Sequence, residues 1–67
     1  MFVIILKEIG IIHAYFRQTI NGFEFERIRD FKDLSGFTAY IFYSEIEAKE
    51  RLKKIQIQYC ACLLYTS

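Results

Sequence analysis

Apolar and polar positions follow different patterns along the chain, and these predict strands first and one helix later. Residues 2–9 open with a continuous apolar run, which is typical of a strand buried on both faces. Gly10 follows and predicts a turn or a bulge. The run stops at Lys7, far short of the roughly 20 apolar residues of a membrane-spanning helix. No basic residue precedes it, so we interpret it as a strand and not as a signal peptide.

A β-hairpin is predicted next. Residues 11–19 and 23–29 show alternating apolar and polar positions on either side of Asn21-Gly22. Asn-Gly is a strong hairpin signal, because a two-residue type I′ turn needs positive φ at both central positions. The sequence therefore predicts two antiparallel strands with this dipeptide at the tip.

That tip also determines which side chains share a face, since they alternate along a strand. Arg17 is expected opposite Glu26, on a face that also carries His13 and Tyr15. The other face is predicted to form core and holds Ile12, Ala14, Phe16, Ile20, Phe23 and Phe25. Arg27 is expected opposite Phe16 on this apolar face, which predicts that the ladder ends or bulges there.

Residues 30–38 predict a connection with polar, turn-forming ends. Its Ser35-Gly36 pair is suited to end a single helical turn. The apolar anchors within it are Phe31, Leu34 and Phe37. Residues 39–43 are β-favouring and predict a short strand.

Ser44 and Glu47 predict the start of a helix that runs from Glu45 to about Gln58. Serine followed three residues later by glutamate is a capping box, in which each side chain bonds the other residue's amide. Three acid–base pairs at i,i+4 support the helix: Glu45–Lys49, Glu47–Arg51 and Glu50–Lys54. One apolar stripe contains Ala48, Leu52, Ile55 and Tyr59. It predicts a surface helix packed on the sheet.

The predicted fold is α+β: an antiparallel β-meander of three or four strands packed on one C-terminal amphipathic helix. Residues 1–61 are expected to form a single small domain, since domains of this size bury one core. The residues predicted to form that core are Val3, Ile5, Phe16, Phe23, Phe25, Phe42, Ala48, Leu52 and Ile55.

Composition excludes some classes of function. Hydrophobic residues make up 54% of the 67-residue chain and aromatic residues 18%, which excludes a disordered tail and favours self-association. The net charge is +1, so no electrostatic footprint indicates non-specific nucleic-acid or membrane binding. Without a disulfide framework, a reducing, cytoplasmic location is expected.

The last residues, 62–67, resemble translated adapter DNA. Read back as TGT-CTC-TTA-TAC-ACA-TCT, they resemble the transposon mosaic end used to fragment DNA for sequencing. We therefore predict that this segment is adapter-derived, and that the natural chain is a metagenomic open reading frame cut at or just before Ala61. The alternative, a Cys60-x-Cys62 metal or redox pair, lacks ligands, because zinc takes about four and His13 is the only other soft candidate.

Candidate chemistry is sparse. His13 is the only histidine, and the predicted register gives it no adjacent acid to orient it as a general base. No phosphate loop, nucleophile elbow or metal motif occurs, so no enzyme activity, cofactor or small-molecule ligand is inferred. The candidate site is instead an interaction surface on the second hairpin face, made of His13, Tyr15, Arg17 and Glu26. Exposed Tyr and Arg are common in protein interfaces.

Residues 39–48, with the sequence AYIFYSEIEA, resemble a pattern in small uncharacterised proteins of phages and mobile elements of Gram-positive bacteria. In that pattern a β-meander precedes A-x-x-F-x-S-x-x-E-A and a closing helix. The resemblance implies the same architecture and a phage-like origin, and it implies no activity. The longer, aromatic connection at residues 30–38 departs from the pattern.

The sequence thus favours a small, non-enzymatic intracellular accessory or regulatory module that acts through a protein partner or a homodimer. The alternative is single-stranded nucleic-acid binding through the second sheet face. There Tyr15, with Tyr40 or Tyr43, would stack bases beside Arg17.

Overall fold

A computed structural model describes residues 1–29 and 39–66. It contains four strands and one helix: β1 (Phe2–Glu8), β2 (Ile11–Thr19), β3 (Gly22–Ile28), α1 (Glu45–Gln56) and β4 (Cys62–Thr66). The strands form one sheet in the order β3-β2-β1-β4, and every neighbouring pair is antiparallel. The predicted α+β class with a β-meander is confirmed.

β1 lies in the interior of the sheet, as its apolar run predicts. Val3 to Leu6 are all buried. Ile4 and Leu6 belong to a cluster that packs against α1, whereas Val3 and Ile5 belong to a second cluster on the opposite face. A strand covered on both faces has no polar side to present, which explains its continuous apolar sequence.

The second sheet face is more buried than predicted. Its cluster combines Val3, Ile5, Ala14, Ile28 and Ala39, with Ile12, Ile41 and Tyr65 packed against it. The expectation of one core face and one solvated face therefore holds only near the hairpin end, where exposed charged side chains lie on the second face.

The fourth strand is not the predicted one. Residues 39–43 form a single bridge, Phe42 with Phe2, and no strand. β4 takes the outer position instead and pairs with β1 from Phe2–Thr66 to Leu6–Cys62. The adapter origin of residues 62–67 is a statement about their DNA and stays a prediction. The pairing of Cys62–Thr66 with β1 does not depend on that origin.

The hairpin register differs from the prediction. Thr19 pairs with Gly22, so Ile20 and Asn21 form the tip. Among the described residues positive φ occurs only at glycine, including Gly22 at 131°, so Asn21 does not adopt the type I′ conformation on which the prediction depended. Its amide instead donates to the Thr19 hydroxyl at 3.3 Å. Ile20 is 100% exposed, and its placement in the core was wrong.

A β-bulge at Phe16 interrupts β2, where the sequence predicted an irregularity. The β2–β3 register shifts between Tyr15 and Arg17. The β1–β2 ladder also stops at Ala14. Tyr40 then donates its amide to the Tyr15 carbonyl at 2.9 Å, and Phe42 exchanges two backbone hydrogen bonds of 2.9 Å with Phe2. Residues 40–42 therefore bond to both strands where these have separated.

The helix begins as predicted. The Ser44 hydroxyl accepts a hydrogen bond from the Glu47 amide at 3.4 Å. Glu45 and Lys49 form the predicted ion pair at 2.9 Å. Arg51, which was predicted to pair with Glu47, donates a hydrogen bond to the Tyr15 hydroxyl. The helix ends at Gln56, two residues before the predicted Gln58.

Most of the predicted core is confirmed. Val3, Ile5, Phe42, Ala48 and Ile55 are buried, and Phe23, Phe25 and Leu52 pack against the α1-side cluster. Phe16 is only half-buried and belongs to neither cluster, because the bulge turns it out of the alternation. The predicted connection at 30–38, with its anchors and its Ser35-Gly36 turn, lies outside the described residues, as does Ser67.

Candidate interaction surface

The four predicted surface residues do not share one face. Paired residues on neighbouring strands lie on the same side of a sheet. His13 pairs with Leu6 of the α1-side cluster, and Tyr15 is itself a member of that cluster. Glu26 pairs with Ala14 of the opposite cluster, so it lies on the other side of the sheet.

Arg17 lies on the same side as Glu26. It pairs with Glu24, which sits between two phenylalanines that pack on the α1 side and therefore points away from the helix. The bulge explains this division, since one extra residue inverts the alternation of side chains beyond it. The prediction of a single His13–Tyr15–Arg17–Glu26 surface is thus corrected to two pairs on opposite faces.

Tyr15 is a core residue and not a surface residue. Its side chain is 0% exposed. Its hydroxyl accepts a hydrogen bond from Arg51 Nη1 at 2.8 Å, which satisfies the one polar group that the ring brings into the core. The ring centroid lies 6.0–6.3 Å from those of four other aromatic residues: Phe23, Phe25, Tyr40 and Phe42. Tyr15 therefore joins the hairpin, the helix and residues 40–42.

The burial of Tyr15 removes the stacking platform proposed for nucleic acid. Tyr40 packs its ring against Tyr15 and Phe42, and Arg17 lies on the other side of the sheet. Base stacking requires an accessible aromatic face. The predicted combination of Tyr15 with Tyr40 or Tyr43 and Arg17 is therefore not assembled.

Arg17 is held at the exposed end of the hairpin. Its Nε donates to the Glu24 carboxylate at 2.8 Å, and its guanidinium carbon lies 5.3 Å from the centre of the Phe16 ring. The hydrogen bond and the charge of Glu24 raise the pKa of Arg17 above its ordinary value, so the guanidinium stays protonated. Exposed pairs of this kind add little to stability, because water screens the two charges. The predicted partner, Glu26, is exposed, and no described residue forms an ion pair with it.

The two cysteines have different environments. Cys60 is exposed, whereas Cys62 is buried beside Leu6. Burial raises the pKa of the Cys62 thiol from 9.0 to about 11, and the nearby Cys60 is a second, smaller cause. The thiol therefore behaves as a neutral core group. Within residues 1–29 and 39–66 no group of three or more His, Cys, Asp or Glu is placed to hold a metal ion.

Several apolar side chains are exposed around the start of α1, and two of them, Met1 and Ile46, were not predicted to belong to a site. Because Phe2 pairs antiparallel with Phe42, Met1 lies beside Tyr43. Ile46 lies three residues later, in the first turn of α1. Tyr43 is 79% exposed and Ile46 73%. We refer to Met1, Tyr43 and Ile46 as the helix-start patch. It depends on a contact between residues 2 and 42, and the local pattern gave no signal for it.

The chain matches no family model, and no curated protein and no solved structure is significantly similar to it. Among the described residues, no helix has the length and apolar character needed to cross a membrane.

Proposed function

We propose that this protein is a small, non-enzymatic accessory or regulatory module of phage type, which acts in the cytoplasm through contacts with proteins. The observation that carries the proposal is the helix-start patch. It places three large apolar side chains in solvent although the domain buries apolar residues on both faces of its sheet. Clustered exposed apolar groups mark interaction sites more often than isolated ones do.

A second copy of the chain is the first partner to test. The net charge of +1 means that two copies repel each other only weakly. Sedimentation velocity over a range of concentrations should show association that the double variant Tyr43→Ser/Ile46→Ser weakens. Ile57→Ser is the matched control, since Ile57 is also exposed but lies past the other end of α1.

Two outcomes would count against the proposal. One is that the parent chain stays monomeric at every concentration and that the Tyr43→Ser/Ile46→Ser variant binds every tested protein as tightly as the parent does. The other is salt-sensitive binding of a single-stranded oligonucleotide that Arg17→Ala abolishes, which would favour the nucleic-acid hypothesis instead.

A further inference from the structure

The outer edge of β3 combines main-chain hydrogen-bonding groups with apolar and acidic side chains, and the helix-start patch does not. β3 is the terminal strand of the sheet and pairs only with β2 in the part of the chain that the structure describes. Alternate main-chain N–H and C=O groups of a terminal strand point away from the sheet and can pair with an added strand. The edge therefore offers hydrogen bonds to an extended segment.

The side chains beside this edge differ on the two faces of the sheet. On the α1 side Phe23 and Phe25 are half-buried, and the Tyr59 ring lies 5.1 Å from that of Phe25. On the other side the edge carries Glu24 and Glu26. Glu24 forms an ion pair with Arg17, whereas Glu26 has no ion-pair partner among the described residues. An added strand would thus meet Phe23 and Phe25 on one face, with the exposed Arg27 further along the strand, and acidic groups on the other face.

A second copy of β3 is disfavoured at this edge when the pairing is centred on residues 24–27. Two copies related by a two-fold axis pair antiparallel about one central residue. A centre at Glu24, Glu26 or Arg27 sets that residue opposite its own copy. A centre at Phe25 sets Glu24 opposite Glu26. Each of these arrangements places like charges directly opposite one another, which destabilises a ladder.

We propose that the outer edge of β3 accepts an extended segment of a partner protein in which apolar residues alternate with Lys or Arg. The apolar residues would extend the surface of Phe23 and Phe25, and the basic residues would lie beside Glu24 and Glu26. Main-chain hydrogen bonds supply the affinity in such strand addition, and the alternate side chains supply the specificity. The inference rests on the proposed function, because it names the chemistry of a protein partner, but it uses a different surface.

The test uses the peptide Thr-Val-Lys-Val-Arg-Val-Thr and the full chain labelled with nitrogen-15. Binding at roughly 1 mM peptide should shift the amide resonances of β3 and weaken as salt is raised. The matched peptide with Glu in place of Lys and Arg should bind at least fivefold more weakly. Glu26→Lys should weaken binding of the basic peptide about fivefold, since it reverses one exposed charge contact. Glu50→Lys, an exposed reversal on α1, should leave binding unchanged.

Equal binding of both peptides, shifts confined to residues outside β3, or no binding would overturn the proposal. So would a rise in β3 amide protection with protein concentration alone, which would show that the edge pairs with its own copy. These outcomes leave the association test on Tyr43 and Ile46 untouched. The strand-addition proposal and the proposed function therefore fail in different experiments.

Discussion

At the scale of single residues, Tyr15 joins the hairpin, the helix and residues 40–42. The alternation of the hairpin placed it on a solvated face, yet its ring contacts four other aromatic rings and its hydroxyl bonds Arg51. That hydrogen bond joins residues 36 positions apart in the sequence. No local pattern signals such a contact, because the partners come together only when helix and sheet pack.

Tyr15→Phe should destabilise the domain by about 1 kcal/mol. The substitution keeps the ring but leaves the half-buried guanidinium of Arg51 without its acceptor. Urea unfolding followed by circular dichroism measures the difference. Tyr43→Phe is the matched control, since Tyr43 is exposed and should show no change. Equal midpoints for Tyr15→Phe and the parent would refute a stabilising role for this hydrogen bond.

The burial of Cys62 makes the free energy of unfolding of this protein depend on pH. The pKa of its thiol is about 11 in the folded chain, against an ordinary value of 9.0. Below pH 9 both states are protonated and the buried thiol has its full stabilising effect. Between these two pH values the unfolded chain loses the proton while the folded chain keeps it, so the free energy of unfolding falls as pH rises.

The measurement for this prediction is the free energy of unfolding of the parent and of Cys62→Ala between pH 8 and pH 11. Every other ionisable group is common to both proteins, so the difference between them isolates Cys62. Stability should fall more steeply in the parent than in Cys62→Ala. Cys60→Ser should keep most of the parent's slope, because burial of Cys62 is the larger cause of its raised pKa and the nearby Cys60 the smaller one. Parallel curves for the parent and Cys62→Ala would contradict the predicted burial of the thiol.

At the scale of elements, local signals located the strands and the helix better than they paired them. The capping serine, the apolar run of β1 and the two hairpin strands are all where the pattern predicts. The pairing of β2 with β3 is not, because the turn uses Ile20 and Asn21 and the bulge at Phe16 adds a further shift. Small displacements at a tip and at a bulge change which side chains are buried.

Two variants distinguish the observed register from the predicted one. Ile20→Asn should alter stability by less than about 0.5 kcal/mol, since Ile20 is fully exposed at the tip. Ile28→Asn should cost about 3 kcal/mol or more, because it places an amide in the buried second-face cluster. Thermal unfolding of both variants provides the comparison. A severe loss for Ile20→Asn would restore the register with Asn21-Gly22 at the tip.

At the scale of the whole molecule, β4 completes the coverage of β1. It pairs with five residues of β1 and places Cys62, which is fully buried, in the α1-side cluster. Leu64 packs against the same cluster, and Tyr65 packs on the opposite face. An apolar strand such as β1 would be liable to pair with other chains if it lay at an exposed edge, and β4 covers that edge.

Removal of residues 62–67 should therefore abolish cooperative unfolding, because it uncovers one side of β1 and opens the α1-side cluster. Circular dichroism and amide dispersion in nuclear magnetic resonance spectra report the loss. Leu63→Thr is the control, since that side chain is more than half exposed and its strand is retained. A shortened chain that unfolds at the same urea concentration as the parent would show that β4 contributes nothing to the fold.

The adapter hypothesis leads to a separate prediction about DNA. The genomic locus, read without interruption past Ala61, should depart from TGT-CTC-TTA-TAC-ACA-TCT. Sequencing across the locus decides this, and the same codons in independent reads would make the segment native. In either case the residues beside β1 in this chain place apolar side chains on both faces of the sheet.

Local interactions and periodicity were sufficient to predict the α+β class, the interior position of β1, the start of α1 and an irregularity near Phe16. These features depend on hydrogen bonds and side-chain alternation within a few residues of each other. Tertiary packing alone decided the burial of Tyr15, the place of β4 and the bonds of residues 40–42 to β1 and β2. Such contacts join distant segments, and their energy depends on shape and burial that exist only in the folded chain.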